Sequence, residues 1–389
     1  EEDSADPDEA LDAEQAESER QIRDMLGAES LLTLARTRVA HAGLRWHYRC
    51  QHESLIAFSN HAMYAGTLRT IPATAGPAAP PVLRWVGVEN GDYDQGVNRP
   101  EAERVVDLID ELLQRDAPPT IGVVTFNLKQ RRAVFDAIDA RFAADPAFAE
   151  RYAAASERAL DERPFVKNLE QVQGDERDVI VFSLGHAPVQ RKRRGVATDE
   201  WYVPARFGPL GQRGGERRLN VAISRAKQEC IVVASFHPAQ LGVASSRHAG
   251  PRLFKHFLEY AHAMGAGRHQ VAAHVLDLVR DTSGPAASTR DVEVAPGHIP
   301  VAAQIAEALE RRHVPVEMHV GASDFRVPVA VLDPEDPTRF RLAILVDEGD
   351  AAQGTEADDL RAFDHFVHRP AVLRMRGWDV VHVSALTWL

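Results

Sequence analysis

Four short runs of Val, Ile and Phe constrain this chain more than anything else in it: "VLRWVGV" (82–88), "TIGVVTF" (120–126), "DVIVFSL" (178–184) and "ECIVVAS" (229–235). Each is apolar nearly throughout, so each needs cover on both faces, which is the mark of strands inside a parallel sheet. Between them lie amphipathic helical patterns. "NRPEAERVVDLIDELLQRD" (98–116) has Pro100 early and puts Val105, Val106, Ile109, Leu112 and Leu113 on one face. "NLKQRRAVFDAIDARF" (127–142) and "RRLNVAISRAK" (217–227) are read as further helices. The rhythm predicts an α/β domain over about 30–265, its parallel sheet covered by helices on both sides.

At 389 residues and 44% hydrophobic content the chain has room for two or three cores. Residues 1–29 read as an acidic connector, and 266–295, with "SGPAASTRD", as a linker. Residues 296–389 form a second, smaller α/β domain: a helix at 298–313, strands at 316–321, 325–333 and 341–347, a helical stretch at 358–377 broken at Pro370, and a last strand at 378–385. No apolar run is long enough for a membrane span and no basic leader opens the chain. Cys50 and Cys230, too few for a disulfide framework, fit a reducing cytoplasm. The net charge of −12 argues against whole-surface nucleic-acid binding, yet "QRKRRG" (190–195) and "GERRLN" (215–220) make a local basic zone.

Five stretches carry candidate chemistry. In "WHYRCQHESLIAFSNHAMYAG", Arg49 stands at a strand-to-helix junction, either as a cap or as a guanidinium aimed at a phosphate. In "GVVTFNLKQRRAV", Thr125 and Asn127 open a helix, an ordinary N-cap or a phosphate contact. "EQVQGDERDVIVFSLG" places a Gln173-Gly174 turn and two carboxylates, Asp175 and Glu176, ahead of a buried strand; a hairpin is the plain reading. "RFGPLGQRGGERRLN" is a Gly-rich basic loop, either a surface loop or an anion contact. In "NVAISRAKQEC", the helix has an apolar face of Leu219, Ala222, Ile223 and Ala226 and leaves Arg218, Arg225 and Lys227 outside it. A rigid arginine meeting a γ-phosphate across a cleft is an arginine finger.

In this order the five stretches resemble the second RecA-like domain of superfamily 1 helicases, in the branch of the nonsense-decay RNA helicase. "YRCQHESLIAFSNHAMYAGTL" resembles its Tyr-Arg motif, "VQGDERDVIVFS" its motif V and "RRLNVAISRAK" its motif VI, with Ser224 in place of the usual Thr. The resemblance implies that Arg49 and Arg225 reach the γ-phosphate of ATP and that Glu176 senses the nucleotide. Gln173 and Gly174 then couple ATP to strand binding. Thr125, Asn127 and Arg218, with Lys129 and Gln130 as softer candidates, face the nucleic acid, with DNA favoured over RNA. There is no G-x-x-x-x-G-K-[ST] and no early Asp-Glu pair in the chain. Cradling the phosphates and holding Mg²⁺ would fall to a first RecA-like domain outside this sequence. On that reading the 389 residues are the C-terminal part of a longer motor and do not hydrolyse ATP alone.

The end of the chain, "VGASDFRVPVAVLDPEDPTRFRLAILVDEGD" through "RGWDVVHVSALTWL", resembles small restriction-endonuclease-like domains of the very-short-patch-repair type. Asp347, Glu348 and His365 would be its nuclease residues. Pro328 stands where the first-strand carboxylate belongs and no lysine follows Lys255, so the expectation is a degenerate nuclease. His365 with His368 is a weaker candidate zinc pair, and no metal site is assigned. A non-catalytic nucleic-acid scaffold and a working metal-dependent DNA nuclease are the alternatives.

Overall fold

The computed structural model describes residues 35, 39–40, 43–193, 196–204, 206–281, 300–347, 363–384 and 388. Glu1–Arg45 and Trp46–Leu389 are separate units, and the elements below all belong to the second. In chain order they are β1 (Trp46–His47), α1 (Ser54–Tyr64), β2 (Arg69–Thr70), β3 (Leu83–Gly87), α2 (Arg99–Leu113), β4 (Ile121–Thr125), α3 (Leu128–Ala144), α4 (Pro146–Ser156), β5 (Phe165–Asn168) and β6 (Arg177–Ser183). They continue with β7 (Val189–Arg193), β8 (Val196–Tyr202), α5 (Gly215–Ile223), β9 (Ala226–Ala234), α6 (Ala249–Gly265), α7 (His269–Asp281) and α8 (Val301–Glu310). The last are β10 (Val316–Val320), β11 (Val327–Leu332), β12 (Phe340–Asp347), α9 (Arg369–Met375) and β13 (Asp379–Ser384).

The main sheet is five-stranded, in the order β3-β9-β6-β4-β5, and every pairing in it is parallel. The period-2 rule divides its side chains between two cores. Val124, Ile180, Phe182, Cys230 and Val232 face α1, α5, α6 and α7. Ile121, Val123, Val179, Val181, Ile231 and Val233 face α2, α3 and α4. This is the RecA-like arrangement expected from the sequence: a parallel sheet with helices on both faces. No helix among the described residues is long and apolar enough to cross a membrane.

Three local expectations are corrected. The Gln173-Gly174 turn closes no hairpin, because β5 and β6 lie on opposite sides of β4 and run parallel to it. Part of the 266–295 linker is α7, whose Ala272, Val275 and Val279 recur at helical spacing and complete the core under α6. Pro370 does not end the helical stretch: a π-helical turn, Asp364–His368, runs directly into α9 at Arg369, so the helix changes type beside Pro370 without breaking.

The C-terminal sheet has the order β10-β11-β12-β13, antiparallel except for the β12–β13 pair. Helix α8 covers one face, with Ile305 against Val329 and Ile344. On the other, Phe325, Leu373 and Trp378 form a core that takes in Ile71 and half-buried Trp46 from the short β1/β2 ribbon. The Pro-rich stretch before β3 is clasped by the same sheet: Gly76 N donates to Thr338 O and Phe340 N donates to Thr74 O.

Candidate functional site

Arg225 does not stand on a helix. The sequence predicts one helix through Lys227, but α5 ends at Ile223 and β9 already begins at Ala226. The extra strand length pairs Ala226 with Arg177 at the start of β6. Arg225 is the joint: its N–H donates to Ala222 O, and its carbonyl accepts from Arg177 N. Its side chain folds back, Nε donating to Val221 O at 2.6 Å and Nη1 to Asp175 O at 3.4 Å. Both acceptors are neutral carbonyls, and the guanidinium is half-buried. Burial first, then the positive charge of Arg49, holds its pKa below the usual arginine range.

Arg49 comes to the same place from the turn between β1 and α1. Nε lies 2.6 Å from Glu176 Oε2, and Nη1 donates to Ser224 O at 3.5 Å. Lys227 Nζ lies 3.2 Å from the other Glu176 oxygen. Glu176 therefore carries two cations, and its hydrogen bond with Arg49 leads in lowering its pKa. The turn itself is tied to β9: Gln51 N donates to Lys227 O at 2.6 Å, and Cys50 Sγ contacts Ala226 O at 3.2 Å. Burial pushes the Cys50 thiol up to about 12, so it is packing and not a thiolate.

The stretch from Gln173 to Arg177 is braced at one end only. Asp175 takes Lys167 Nζ at 2.7 and 2.8 Å. Arg177, which sequence reasoning passed over, is 4% exposed and gives its guanidinium to the carbonyls of Glu176, Arg163 and Leu160. A buried arginine on backbone acceptors leaves no sequence signature. Gln173 and Gly174 stay exposed at the apex, and Gly174 holds φ at +89°, a left-handed value that favours glycine.

The proposed strand-binding residues separate. Thr125 is fully buried and its hydroxyl donates to Asn127 O at 3.0 Å, so it cannot face a ligand and is corrected to an internal brace. Gln130 is likewise buried, bridging Asn98 and Ser183. Asn127 is the N-cap of α3, its side chain accepting from Gln130 N at 2.7 Å. Lys129 is exposed and donates to Gln95 O. Arg218 donates to Pro209 O and Arg213 O, and lies 3.7 Å from Glu170. Thr125 and Asn127 are at the carboxyl end of β4, whereas Arg225 and Glu176 are at the amino ends of β9 and β6. The two sets thus occupy opposite edges of the sheet.

Glu101 was missed. Asn98-x-x-Glu101 has the look of a capping box. Asn98 Oδ1 does accept from Glu101 N at 3.2 Å, but the carboxyl turns inward and accepts from Gly185 N at 2.7 Å and Ser183 Oγ at 2.8 Å. Complete burial raises its pKa to about 8.

In the C-terminal sheet, Asp347 ends β12 beside Ser384 of β13. Glu348 lies outside the described residues. His365 packs its ring 5.5 Å from that of His382, a residue not anticipated, and burial lowers the pKa of both. His368 turns instead to Asp364 at 3.1 Å and to the Trp46 ring, so His365 and His368 do not make a zinc pair. Among the described residues no group of three or more His, Cys, Asp or Glu is arranged to hold a metal. Pro328 is on β11, as the sequence places it.

The family described as the AAA domain matches residues 28–237, more than half of the chain. The chain belongs to that family. The AAA domain's range takes in Arg49, Gln173, Glu176 and Arg225 and leaves the C-terminal sheet outside. Two relatives match the chain over 222 residues at 33% and 34% identity: the uncharacterized ATP-dependent helicase MG140 homolog of Mycoplasma pneumoniae and the uncharacterized ATP-dependent helicase MG140 of Mycoplasma genitalium. The aligned 222 residues are 57% of this chain and 18% of each relative. Among solved structures, the C-terminal domain of a possible DNA helicase from Lactobacillus plantarum aligns over 52% of this chain and 95% of its own, at 15% identity and a TM-score of 0.28. A score at that level adds nothing to the strand pairing described above.

Proposed function

We propose that the chain is the second motor half of an ATP-dependent superfamily 1 helicase or translocase, in the nonsense-decay-helicase-like branch. One observation carries the reading. Arg49, Glu176, Arg225 and Lys227 come from three distant stretches and converge on the amino ends of β6 and β9, around a half-exposed carboxylate. Two guanidinium groups near one another suit a triphosphate, whose developing charge they would offset. ATP would enter between this edge and a first RecA-like domain of the same protein. Mg²⁺ does not fit the residues present. Glu176 already takes a cation on each oxygen, and the surrounding groups are positive. Its ligands would lie on the other motor domain.

The nucleic acid, DNA by preference, would meet the exposed Gln173 apex and the polar groups at the carboxyl edge, with Asn127 and Arg218 the surviving candidates. We read the C-terminal sheet as a restriction-endonuclease-like module without nuclease chemistry, since Pro328 fills the place of the first-strand carboxylate. The test is Arg225→Ala in the full-length polypeptide, assayed for ATP hydrolysis with single-stranded DNA present. Turnover should fall by roughly 10³-fold, as for loss of an arginine finger, with thermal unfolding unchanged. Parental turnover would refute the motor reading.

A further inference from the structure

Arg376, the residue that caps α9 in the C-terminal domain, reaches into the motor domain. Its Nη2 donates to Tyr48 O at 2.6 Å and to Cys50 O at 2.9 Å. Those carbonyls belong to the residues on either side of Arg49. One guanidinium nitrogen thus bridges the turn from which the Arg49 side chain leaves, its N–H bonds holding the two carbonyls that flank Arg49. From the opposite side the same turn is held by the Lys227 and Ala226 carbonyls of β9.

The placement of Arg376 is itself rigid. Trp378, two residues on, is buried and donates its indole N–H to Pro72 O at 2.9 Å. Ser323 accepts from Thr70 N at 3.0 Å, and half-buried Glu53, at the start of α1, takes the Thr70 hydroxyl and Ala322 N. The C-terminal domain therefore grips the chain on both sides of Arg49, before it at Trp46 through Phe325, and after it at Glu53 through Pro72. Arg376 is half-buried, and burial lowers its pKa, a cost that bonds to neutral carbonyls only partly offset.

We infer that Arg376 is a positioning residue for phosphoryl transfer: through the Tyr48 and Cys50 carbonyls the C-terminal domain sets the direction of the Arg49 guanidinium. This rests on the assignment of Arg49 to the γ-phosphate made above. The appended domain then belongs to the working geometry of the motor, and a ligand or partner that shifts α9 would alter ATP turnover. The effect is expected in the transition state, because a misdirected guanidinium still attracts the triphosphate but misses the charge that develops on it.

Four variants of the full-length polypeptide test this by steady-state ATP hydrolysis with oligo(dT) present: Arg376→Ala, Arg376→Lys, Arg374→Ala and Arg49→Ala. Arg374 is exposed on the same helix and serves as the control. Arg376→Ala should lower kcat about tenfold with KM for ATP within about twofold, the pattern of an interaction realised in the transition state. Arg376→Lys should recover most of that loss, since an ammonium can still serve both carbonyls, and Arg374→Ala should match the parent. Parental kcat in Arg376→Ala, with turnover abolished in Arg49→Ala, overturns the inference and leaves the motor reading intact. A rise in KM alone, or a fall in kcat matched by loss of folded protein and not recovered by lysine, overturns it equally. Parental turnover in Arg49→Ala removes the assignment on which it rests.

Discussion

Arg49 and Glu176 are 127 positions apart in the chain, and their side chains meet at 2.6 Å. Lys227 completes the group on the second carboxylate oxygen. The parallel sheet makes the meeting possible. β6 and β9 are neighbours, so residues just before each strand share one edge, and the Arg49 turn is tied to the first residues of β9.

Removing the carboxylate should change the acid side of the stability profile. Glu176 has its pKa lowered, chiefly by the Arg49 hydrogen bond and then by Lys227. A lowered folded-state value means stabilisation that is present above the ordinary glutamate value of 4.5 and lost as pH falls through the shifted one. Glu176→Gln should therefore unfold at a lower temperature than the parent at pH 7, and the gap should narrow progressively as the pH is taken below the ordinary glutamate value of 4.5. The group is 39% exposed, so the gap is expected to be under about 1 kcal/mol. A gap that stays constant as the pH falls below 4.5 would rule out the ion pair as its source.

Glu101 should act in the opposite direction. Burial raises its pKa to about 8 from an ordinary 4.5. Between those values the folded protein keeps a proton that the unfolded chain has released, so stability falls as pH rises across the window and levels off above it. The slope for one such group approaches about 1.4 kcal/mol per pH unit. Glu101→Gln keeps an acceptor for Ser183 and Gly185 and has nothing to ionise. Urea midpoints at pH 5, 6.5 and 8 should drop for the parent and stay level for the variant. Parallel curves would show that Glu101 does not titrate in this window.

The strands, their parallel sense and the helices over them were legible because apolar runs and helical periodicity report burial directly, as Val179 to Phe182 show. What could not be read is which atom a polar side chain reaches. Thr125 at the mouth of a helix has the same sequence signature whether its hydroxyl meets a ligand or, as found, the Asn127 carbonyl. Arg225 reads as helical in the sequence because Ala226 fits a helical face as well as a strand, and only the pairing with Arg177 decides between them. The grip of Arg376 on the Arg49 turn was beyond reach, since it joins residues 326 or more positions apart through backbone acceptors.

The reassignment of Thr125 can be checked against Asn127. Thr125→Val keeps the shape of a fully buried side chain and removes its bond to Asn127 O. It should cost about 1 kcal/mol in a denaturant titration. Asn127→Ala removes the α3 N-cap and should cost a similar ~1 kcal/mol. Fluorescence anisotropy with a labelled single-stranded oligonucleotide should then find Thr125→Val binding like the parent. A tenfold weaker complex at unchanged stability would make Thr125 a ligand contact after all.

Gly215 and Gly174 separate packing from conformation. Both are glycines of the basic and acidic motifs, yet their surroundings differ. A Cβ on Gly215 would lie 2.1 Å from the Leu210 carbonyl oxygen, and one on Gly250 would lie 2.3 Å from the same atom. Helices α5 and α6 thus converge on a single carbonyl, and α5 delivers Arg225. A Cβ on Gly174 meets open space, and only its positive φ resists substitution. Gly215→Ala should therefore lose about 1–3 kcal/mol through overpacking, because the obstacle is backbone and cannot rotate away. Its turnover should fall as well, since α5 must move. Gly174→Ala should lose about 1 kcal/mol, the cost of left-handed backbone in a residue with a side chain. Chemical denaturation of the two variants in parallel decides the matter: equal losses would mean that the close approach of α5 to Leu210 is not what fixes the helix, and with it the joint at Arg225.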